Sequence, residues 1–347
     1  MSATGIVFLA LSVVMLGLGF YGASVDVVSA TGLAESIGQM KNFYFLLGGL
    51  ILFIVLYRLA LGKASLRVQH TMSTTIRYVI LIGVGVFMVY PLLWMISATF
   101  KDNNEIFSTL SLIPTRPTME GYKAAMNNYG GDINIWQAML NTYKYVIPKV
   151  IFTVVSSTIT AYGFGRFRFR GRNFLFAVLM ATLFLPQVVL NIPQFLMYRQ
   201  FGWVDSPYYL ALIAPTLFAQ ETYFVYMLIQ FMRNIPRELD EAAKIDGASS
   251  WQQFKRITLP LLTPTTFYLI VTGMIGSLQT FLEVNLFAPD GGRGYGVGSI
   301  VFYIWQKAFD SSQMGYACAC ATVFGVAMII LTAVQFTVSR KWVYEGE

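Results

Sequence analysis

Long apolar runs recur along the chain and constrain its fold more than any other feature. Each run has about the 20 mostly apolar residues that a helix needs to cross the hydrocarbon core, where every backbone polar group must be paired within the segment. The sequence contains eight such runs, which lie approximately at Ile6–Tyr21, Phe43–Leu61, Tyr78–Ala98, Tyr145–Phe164, Phe174–Leu190, Tyr208–Met232, Thr265–Phe287 and Met314–Val338. These runs predict eight membrane-spanning helices joined by short loops.

The composition supports the same class. Of the 347 residues, 56% are apolar and 12% are charged, whereas soluble domains have about 45–50% apolar and 25% charged residues. A soluble fold of this length has too little interior to cover so much apolar surface, which disfavours an ordinary soluble enzyme. The single His and the two Cys leave little for a His-based metal site or a catalytic triad. We therefore predict an all-α polytopic membrane protein with no catalytic residues and no metal site.

The basic residues concentrate on every second loop between the predicted spans. That set of loops holds Arg58, Lys63, Arg67, Arg77, Arg166, Arg168, Arg170, Arg172, Arg233, Arg237, Lys244, Lys255, Arg256, Arg340 and Lys341. In the other set of loops, basic and acidic residues balance. Because cytoplasmic loops carry the excess of Lys and Arg, the first set is predicted to be cytoplasmic. With an even number of spans, both termini are then cytoplasmic.

Residues 234–264 are too polar for lipid and too regular for a simple linker. Pro236 suits the first turn of a helix, and Gly247 suits the left-handed conformation that ends one. Ser250 followed by Gln253 matches a capping box for a second short helix. The pattern predicts a helix–turn–helix on the cytoplasmic face. An amphipathic helix resting on lipid headgroups is the alternative, but the acidic residues at its start favour a protein partner over anionic lipid.

The same segment resembles the EAA loop of ABC importer permeases. The resemblance rests on Glu241, Ala242, Ala243, Asp246, Gly247, Ala248, Phe254, Ile257, Leu259, Pro260 and Pro264, preceded by Ile235–Leu239. Two further stretches resemble the carbohydrate-uptake, maltose-type branch of these permeases. They are the turn at residues 161–172 (AYGFGRFRFRGR) and an outer loop with Phe100, Lys101, Glu105, Ile106, Phe107, Pro117, Thr118 and Tyr122. The resemblance extends over about residues 75–347.

This resemblance implies a permease of the bacterial or archaeal cytoplasmic membrane. Its six-span core would occupy residues 66–347, with a coupling loop at 234–264, and residues 1–65 would add an N-terminal transmembrane hairpin. In the family, the loop sits in a groove of a nucleotide-binding subunit and passes ATP-driven closure to the membrane helices. The resemblance assigns ATPase coupling to Glu241, Ala242, Ala243, Asp246, Gly247, Ala248 and Phe254.

The partners also follow from the resemblance. The sequence has no G-x-x-x-x-G-K-[ST] phosphate loop, so ATP and Mg²⁺ are expected on a separate ATPase subunit, present in two copies, and this chain is expected to bind no cofactor. A second permease subunit would complete the membrane part, as a heterodimer rather than a self-pair. An extracytoplasmic binding protein would deliver a carbohydrate to the outer loops, mainly 101–144 and 288–313. Membrane lipid surrounds the chain, and no nucleic acid is expected.

Several polar residues lie inside predicted spans. An ionised side chain at mid-bilayer costs about 3 kcal/mol on insertion scales, so Glu221 and Glu283 are expected to face a cavity or a partner. Gln279 and Glu283 are four residues apart, which puts them on one helix face, and Asn285 follows them. The corresponding stretch contributes to the translocation path in sugar-uptake relatives. Glu221, Gln279, Glu283 and Asn285 are therefore candidates for the path, with interhelical hydrogen bonds as the alternative.

Two other functions compete with the importer hypothesis. An ion-coupled secondary transporter would use Glu221 and Glu283 as proton or cation sites, but it gives no account of the loop at 234–264. A membrane scaffold would carry no substrate at all. The loop therefore favours the permease of an ATP-driven importer.

Overall fold

The computed structural model describes residues 10–18, 44, 47–49, 51–54, 66–108, 111–127, 133–204, 206, 209–292 and 296–344. Most of these residues are helical, and none of them lies in a β-strand. The predicted all-α class is therefore confirmed. The first two predicted spans, Ile6–Tyr21 and Phe43–Leu61, lie largely outside the described residues, as does the predicted domain boundary at residue 65.

The helices from residue 66 onwards are numbered in chain order. They are α1 (Leu66–Ala98), α2 (Asn103–Ser108), α3 (Glu120–Met126), α4 (Ile135–Arg166), α5 (Arg172–Thr182), α6 (Gln187–Gln200), α7 (Leu210–Ile213), α8 (Thr222–Asn234), α9 (Arg237–Ile245), α10 (Ser250–Gln253), α11 (Leu259–Leu261), α12 (Thr263–Leu278), α13 (Leu282–Phe287), α14 (Ile300–Trp305) and α15 (Met314–Ser339). A 3₁₀ segment, Ala214–Phe218, follows α7, and wider π-helical turns follow α10 and α14.

The chain forms two compact units, Met1–Tyr90 and Pro91–Glu347. The second unit is built around α4, which packs against α8 and α12. Its fully buried apolar side chains include those of Tyr145, Leu228 and Leu269, one from each of these three helices. All the candidate functional residues lie in this unit.

Helix α4 is long and unbroken. It begins after Asn134, whose Oδ1 accepts a hydrogen bond from the backbone N–H of Gln137 at 2.8 Å, so one orphan donor of the first turn is satisfied. It continues through Pro148 to Arg166, a length of about 48 Å at 1.5 Å per residue. Near its end, Gly165 lets α8 approach closely, because a Cβ there would lie 3.2 Å from the Sδ of Met232.

The structure has fewer continuous spans than the sequence predicts. Among the described residues, four helical stretches are long and apolar enough to cross a membrane. They are Thr74–Ala98, Ile135–Arg166, Met314–Ser339 and Leu210–Asn234, the last of which comprises α7, the 3₁₀ segment and α8. The number rises to six if each of two bent pairs counts as one span; α5 and α6 meet at 102°, and Ser250–Leu261 meets α12 at 67°. The predicted span Phe174–Leu190 is bent because Pro186 removes a backbone donor and disfavours helix in the residue before it.

Two other predicted spans are interrupted. Thr265–Phe287 is not one helix, since α12 ends at Leu278 and α13 begins at Leu282. At the break, the carbonyl of Thr280 accepts a hydrogen bond from the Oγ of Ser299 at 2.8 Å instead of continuing the helical pattern. Tyr208–Met232 contains the 3₁₀ segment and then Ala219 at φ 53°, before α8 begins. In both places, tertiary contacts and local backbone geometry override a continuous apolar run.

Candidate functional site

The predicted coupling loop folds as two short helices joined at Gly247. Helix α9 ends in a Schellman motif, in which the N–H of Ala248 donates to the carbonyl of Ala243 at 2.8 Å and the N–H of Gly247 donates to that of Lys244 at 3.0 Å. Gly247 has φ +79°, and a Cβ there would meet no heavy atom within 4 Å. Glycine is therefore favoured by the backbone conformation and not by lack of space.

The second short helix starts one residue earlier than the sequence predicts. The capping box uses Ser249 and Gln252: the N–H of Gln252 donates to the Oγ of Ser249 at 3.3 Å, and the N–H of Ser249 donates to Oε1 of Gln252 at 2.7 Å. The predicted pair, Ser250 and Gln253, is wrong. Gln253 is buried instead, and its Nε2 donates to the carbonyl of Ala248 at 2.9 Å. This bond ties α10 back to the turn after α9.

The outer surface of the loop is exposed and partly apolar. Helix α9 has no buried residue. Ile245 is 87% exposed and Trp251 is 68% exposed. Large apolar side chains grouped on a surface usually mark a binding face. Of the residues assigned to coupling, four are exposed and three are partly buried; the exposed ones are Glu241, Ala242, Asp246 and Gly247, and the others are Ala243, Ala248 and Phe254.

Phe254 holds the loop rather than extending its exposed surface. Its ring lies 4.8 Å from that of Tyr162 at the end of α4 and 5.5 Å from that of Trp251. The three rings border a small apolar groove of about 190 Å³ together with Ile159 and Phe167. Four of the predicted coupling residues are therefore exposed, whereas Phe254 packs against the end of α4.

Sequence reasoning missed one contact of this loop. Nη1 of Arg166, in the last turn of α4, lies 3.2 Å from Oδ2 of Asp240 in α9. The sequence interprets Arg166 only as part of a basic turn that sets the topology. The two residues are far apart along the chain, so neither spacing nor periodicity pairs them.

The second candidate site is a cavity of about 490 Å³ in the same compact unit. Three of the four predicted path residues line it: Glu221, Gln279 and Glu283. Asn285 is partly buried on α13 but is not among the lining residues. Glu221, Gln279 and Glu283 thus border one space, whereas Asn285 lies outside its lining; their role in a substrate path stays a prediction.

The ends of three helices bring these side chains together. Glu221 directly precedes the first turn of α8, Gln279 follows the last turn of α12, and Glu283 lies in the first turn of α13. The predicted i, i+4 relation of Gln279 and Glu283 is wrong, because the helix is interrupted between them. Helix α4 supplies Lys149, Val150 and Thr153 to the same lining, and Pro148 directly precedes the first of these.

The cavity combines polar and aromatic walls. Its described lining includes the hydroxyl-bearing residues Thr153, Thr272, Ser277 and Thr280, the aromatic residues Phe224 and Phe281, and the ionisable residues Lys149, Glu221 and Glu283. Hydroxyls, amides and carboxylates hydrogen-bond a polyhydroxylated ligand, while aromatic faces cover its C–H surfaces. No group of three or more His, Cys, Asp or Glu side chains that would hold a metal ion occurs within the described part of the chain.

A polar cleft of about 470 Å³ lies at α2, α3 and the start of α15. Its charged lining residues are Lys101, Asp102, Glu120 and Lys123. In the same region, the carboxylate of Glu105 accepts hydrogen bonds from the N–H of Thr115 at 2.7 Å and from its Oγ1 at 2.9 Å. These bonds favour the ionised form, so they hold the pKa of Glu105 below its usual value. The loop that the sequence predicts to be extracytoplasmic is therefore structured.

Two known proteins of similar sequence are named as permease proteins of transport or uptake systems. The chain is 33% identical over 220 residues to the galactooligosaccharides transport system permease protein GanQ of Bacillus subtilis (strain 168). The aligned region covers 63% of this chain and 76% of GanQ. It is 30% identical over 212 residues to the diacetylchitobiose uptake system permease protein NgcG of Streptomyces coelicolor, with coverage of 60% and 67%.

A solved structure shares the fold. It is the crystal structure of a bacterial ABC transporter involved in the import of the acidic polysaccharide alginate; one of its chains matches with a TM-score of 0.62 at 17% identity, over 79% of this chain and 97% of that chain. At this identity the likeness concerns the fold alone.

Fold, loop and cavity together define a multi-pass helical subunit of a membrane transporter. Residues 157–344, more than half of the chain, match the family of the binding-protein-dependent transport system inner membrane component. The chain belongs to this family. It is a transport subunit and not an enzyme, as the sequence predicts.

Proposed function

We propose that this chain is the permease subunit of an ATP-driven saccharide importer and that the loop at 234–264 couples it to a separate ATPase. The exposed helix–turn–helix with Gly247 at its turn is the observation that carries the proposal. A loop that only closed a membrane domain would bury its large apolar side chains, whereas Ile245 and Trp251 are directed outwards. Membership of the family favours this function over an ion-coupled carrier and over a scaffold.

The saccharide substrate is supported by relatives and by the cavity. GanQ and NgcG are named for the transport of galactooligosaccharides and diacetylchitobiose. The cavity offers hydroxyls, an amide and two aromatic rings, which suits a sugar. Among the described lining residues, two are acidic, Glu221 and Glu283, and one is basic, Lys149. This balance favours a neutral saccharide over an acidic one, because a uronate would be repelled.

The partners follow from the same assignment. The sequence contains no phosphate loop, so two copies of an ATPase subunit would bind ATP and Mg²⁺ and would dock on the exposed surface of the loop. The excess of Lys and Arg supports a cytoplasmic position for this loop, and with the predicted even number of spans both termini would be cytoplasmic as well. The polar cleft at α2 and α3 would then face the extracytoplasmic binding protein, and a second permease subunit would complete the path.

The experiment uses Gly247 in the assembled complex. We expect Gly247→Pro to insert normally and hydrolyse ATP but to lose uptake, because proline fixes φ near −65° and removes the N–H that bonds to Lys244. Gly247→Asn is the matched control, since asparagine tolerates the left-handed conformation, and should retain uptake. Uptake is measured in proteoliposomes with labelled galactooligosaccharides and diacetylchitobiose.

A crosslink identifies the partner in the same preparations. Ala248→Cys, carrying a photoactivatable maleimide, should capture the ATPase subunit. Uptake by Gly247→Pro at the wild-type rate would contradict the coupling role of the loop. Capture of lipid alone would contradict the ATPase as its partner.

A further inference from the structure

The ion pair between Arg166 and Asp240 is well buried. The side chain of Arg166 is 8% exposed and that of Asp240 is 17% exposed. Both terminal nitrogens of Arg166 also donate to the carbonyl of Ile235 at 3.4 Å, two residues before α9 begins. Asp240 lies in the first turn of α9, where a negative charge is favoured by the helix dipole. The guanidinium of Arg166 therefore binds both the segment that precedes α9 and the first turn of α9.

Tyr162 makes a second attachment one helical turn earlier. Its hydroxyl donates to the carbonyl of Ser250 at 3.3 Å, and its ring packs on Phe254 at 4.8 Å. Tyr162 and Arg166 are four residues apart on α4, so they lie on one face of the helix. The end of α4 thus contacts both short helices of the loop, α9 through Arg166 and α10 through Tyr162.

Helix α4 connects these attachments to the cavity. Lys149, Val150 and Thr153 line the cavity, and 17 residues separate Lys149 from Arg166, a distance of about 25 Å along a continuous helix. Helix α8 offers a second connection, because it runs from Glu221 at the cavity to the loop. Covalently, the loop follows α8 at Ile235 and leads into α12 at its other end, so the backbone does not join it directly to α4. The ion pair joins it to α4 as well.

We propose that the Arg166–Asp240 pair is a positioning contact that makes α4 move together with the coupling loop, so that displacement of the loop moves the cavity wall at Lys149. This inference rests on the proposed function, since it assumes that an ATPase moves the loop. A buried pair suits this task because separation of the two groups would leave each charge without its ionic partner in a poorly solvated place, which is unfavourable. Without the pair, only the contacts of Tyr162 would hold α4 to the loop, and α4 would follow the loop less closely than α8 does.

The test measures movement at the cavity in the assembled complex. Lys149→Cys is introduced with Cys318→Ala and Cys320→Ala, and its labelling rate by a membrane-impermeant maleimide is measured with and without ATP. In this background we expect ATP to change the rate by about tenfold, in the range of a typical coupling between two sites. Arg166→Gln and Asp240→Asn should each reduce this change to less than about twofold while ATP hydrolysis continues.

Two comparisons isolate the pair from a general effect on folding. The exchange Arg166→Asp with Asp240→Arg should recover most of the ATP-dependent change, because it restores opposite charges. Arg168→Gln removes an exposed guanidinium two residues after Arg166, outside the coupling loop, and it should label like the parent. Crosslinking from Ala248→Cys to the ATPase should persist in every variant.

The outcomes separate this inference from the proposed function. An unchanged ATP response in both single variants, or no recovery in the exchanged pair, would overturn the role of the pair. Loss of the ATPase crosslink in the single variants would also overturn it, because the pair would then serve docking and not transmission. If the parent itself shows neither the crosslink to the ATPase nor a response to ATP, the result contradicts the proposed function of the loop, whatever the role of the ion pair.

Discussion

Glu221, Gln279 and Glu283 reach one cavity from three helix ends. Glu221 precedes α8, Gln279 follows α12, and Glu283 begins α13. Side chains at helix ends can be displaced by small changes of the adjoining backbone, whereas residues in mid-helix move only with the whole element. Ionisable groups within a membrane domain are expected to face such a space because lipid cannot solvate them. The arrangement suits residues that meet a passing ligand.

Replacement of the polar pair tests the path directly. We expect Gln279→Leu together with Glu283→Leu to lower uptake of labelled oligosaccharide by about tenfold or more, since each lost hydrogen bond to a buried polar ligand costs about 1 kcal/mol. The complex should still assemble, as judged by copurification of the ATPase. Asn285→Leu, on α13 but not in the cavity lining, should have a smaller effect. Loss of assembly in the double variant would favour interhelical bonding instead.

At the scale of elements, the sequence predicts the two short helices of the loop but not the exact start of the second. Ser249 with Gln252 and Ser250 with Gln253 both match a capping box, so spacing alone leaves two registers. Burial of Gln253 decides between them, because its amide bonds to the carbonyl of Ala248. The interruption after Leu278 is likewise invisible in a continuous apolar run, since it depends on the distant Ser299.

The capping register has a measurable consequence. Ser249→Ala should destabilise the start of α10 by about 1 kcal/mol, because the N–H of Gln252 loses its acceptor. Ser250→Ala changes the adjacent residue, whose backbone carbonyl contacts Tyr162, and should have little effect. Hydrogen exchange of the backbone amides at 250–253 measures the difference. Faster exchange in Ser250→Ala than in Ser249→Ala would contradict the observed register.

At the scale of the whole molecule, apolar runs and the EAA pattern are enough to predict an all-α membrane protein of the importer family. They predict too many uninterrupted spans, because hydropathy does not register bends at proline or left-handed residues such as Ala219. The Arg166–Asp240 pair, the cavity and the polar cleft all depend on contacts between distant segments. These features need the folded chain.

The placement of the sites predicts which part of the chain transport requires. The coupling loop, the cavity and the polar cleft all lie within Pro91–Glu347. A variant lacking residues 1–65 should therefore retain ATP-driven uptake when its amount in the membrane is matched to that of the full chain. Loss of uptake with normal ATPase copurification would show that the N-terminal residues take part in transport.

The exposure of Ile245 and Trp251 also affects how the chain must be produced. A subunit made in excess of its partners presents these two side chains to any other apolar surface, and such surfaces promote aggregation. Balanced synthesis of all subunits limits the time during which the loop stays uncovered. On the proposed function, a copy of the chain that lacks its partners keeps these two side chains exposed and is prone to aggregate.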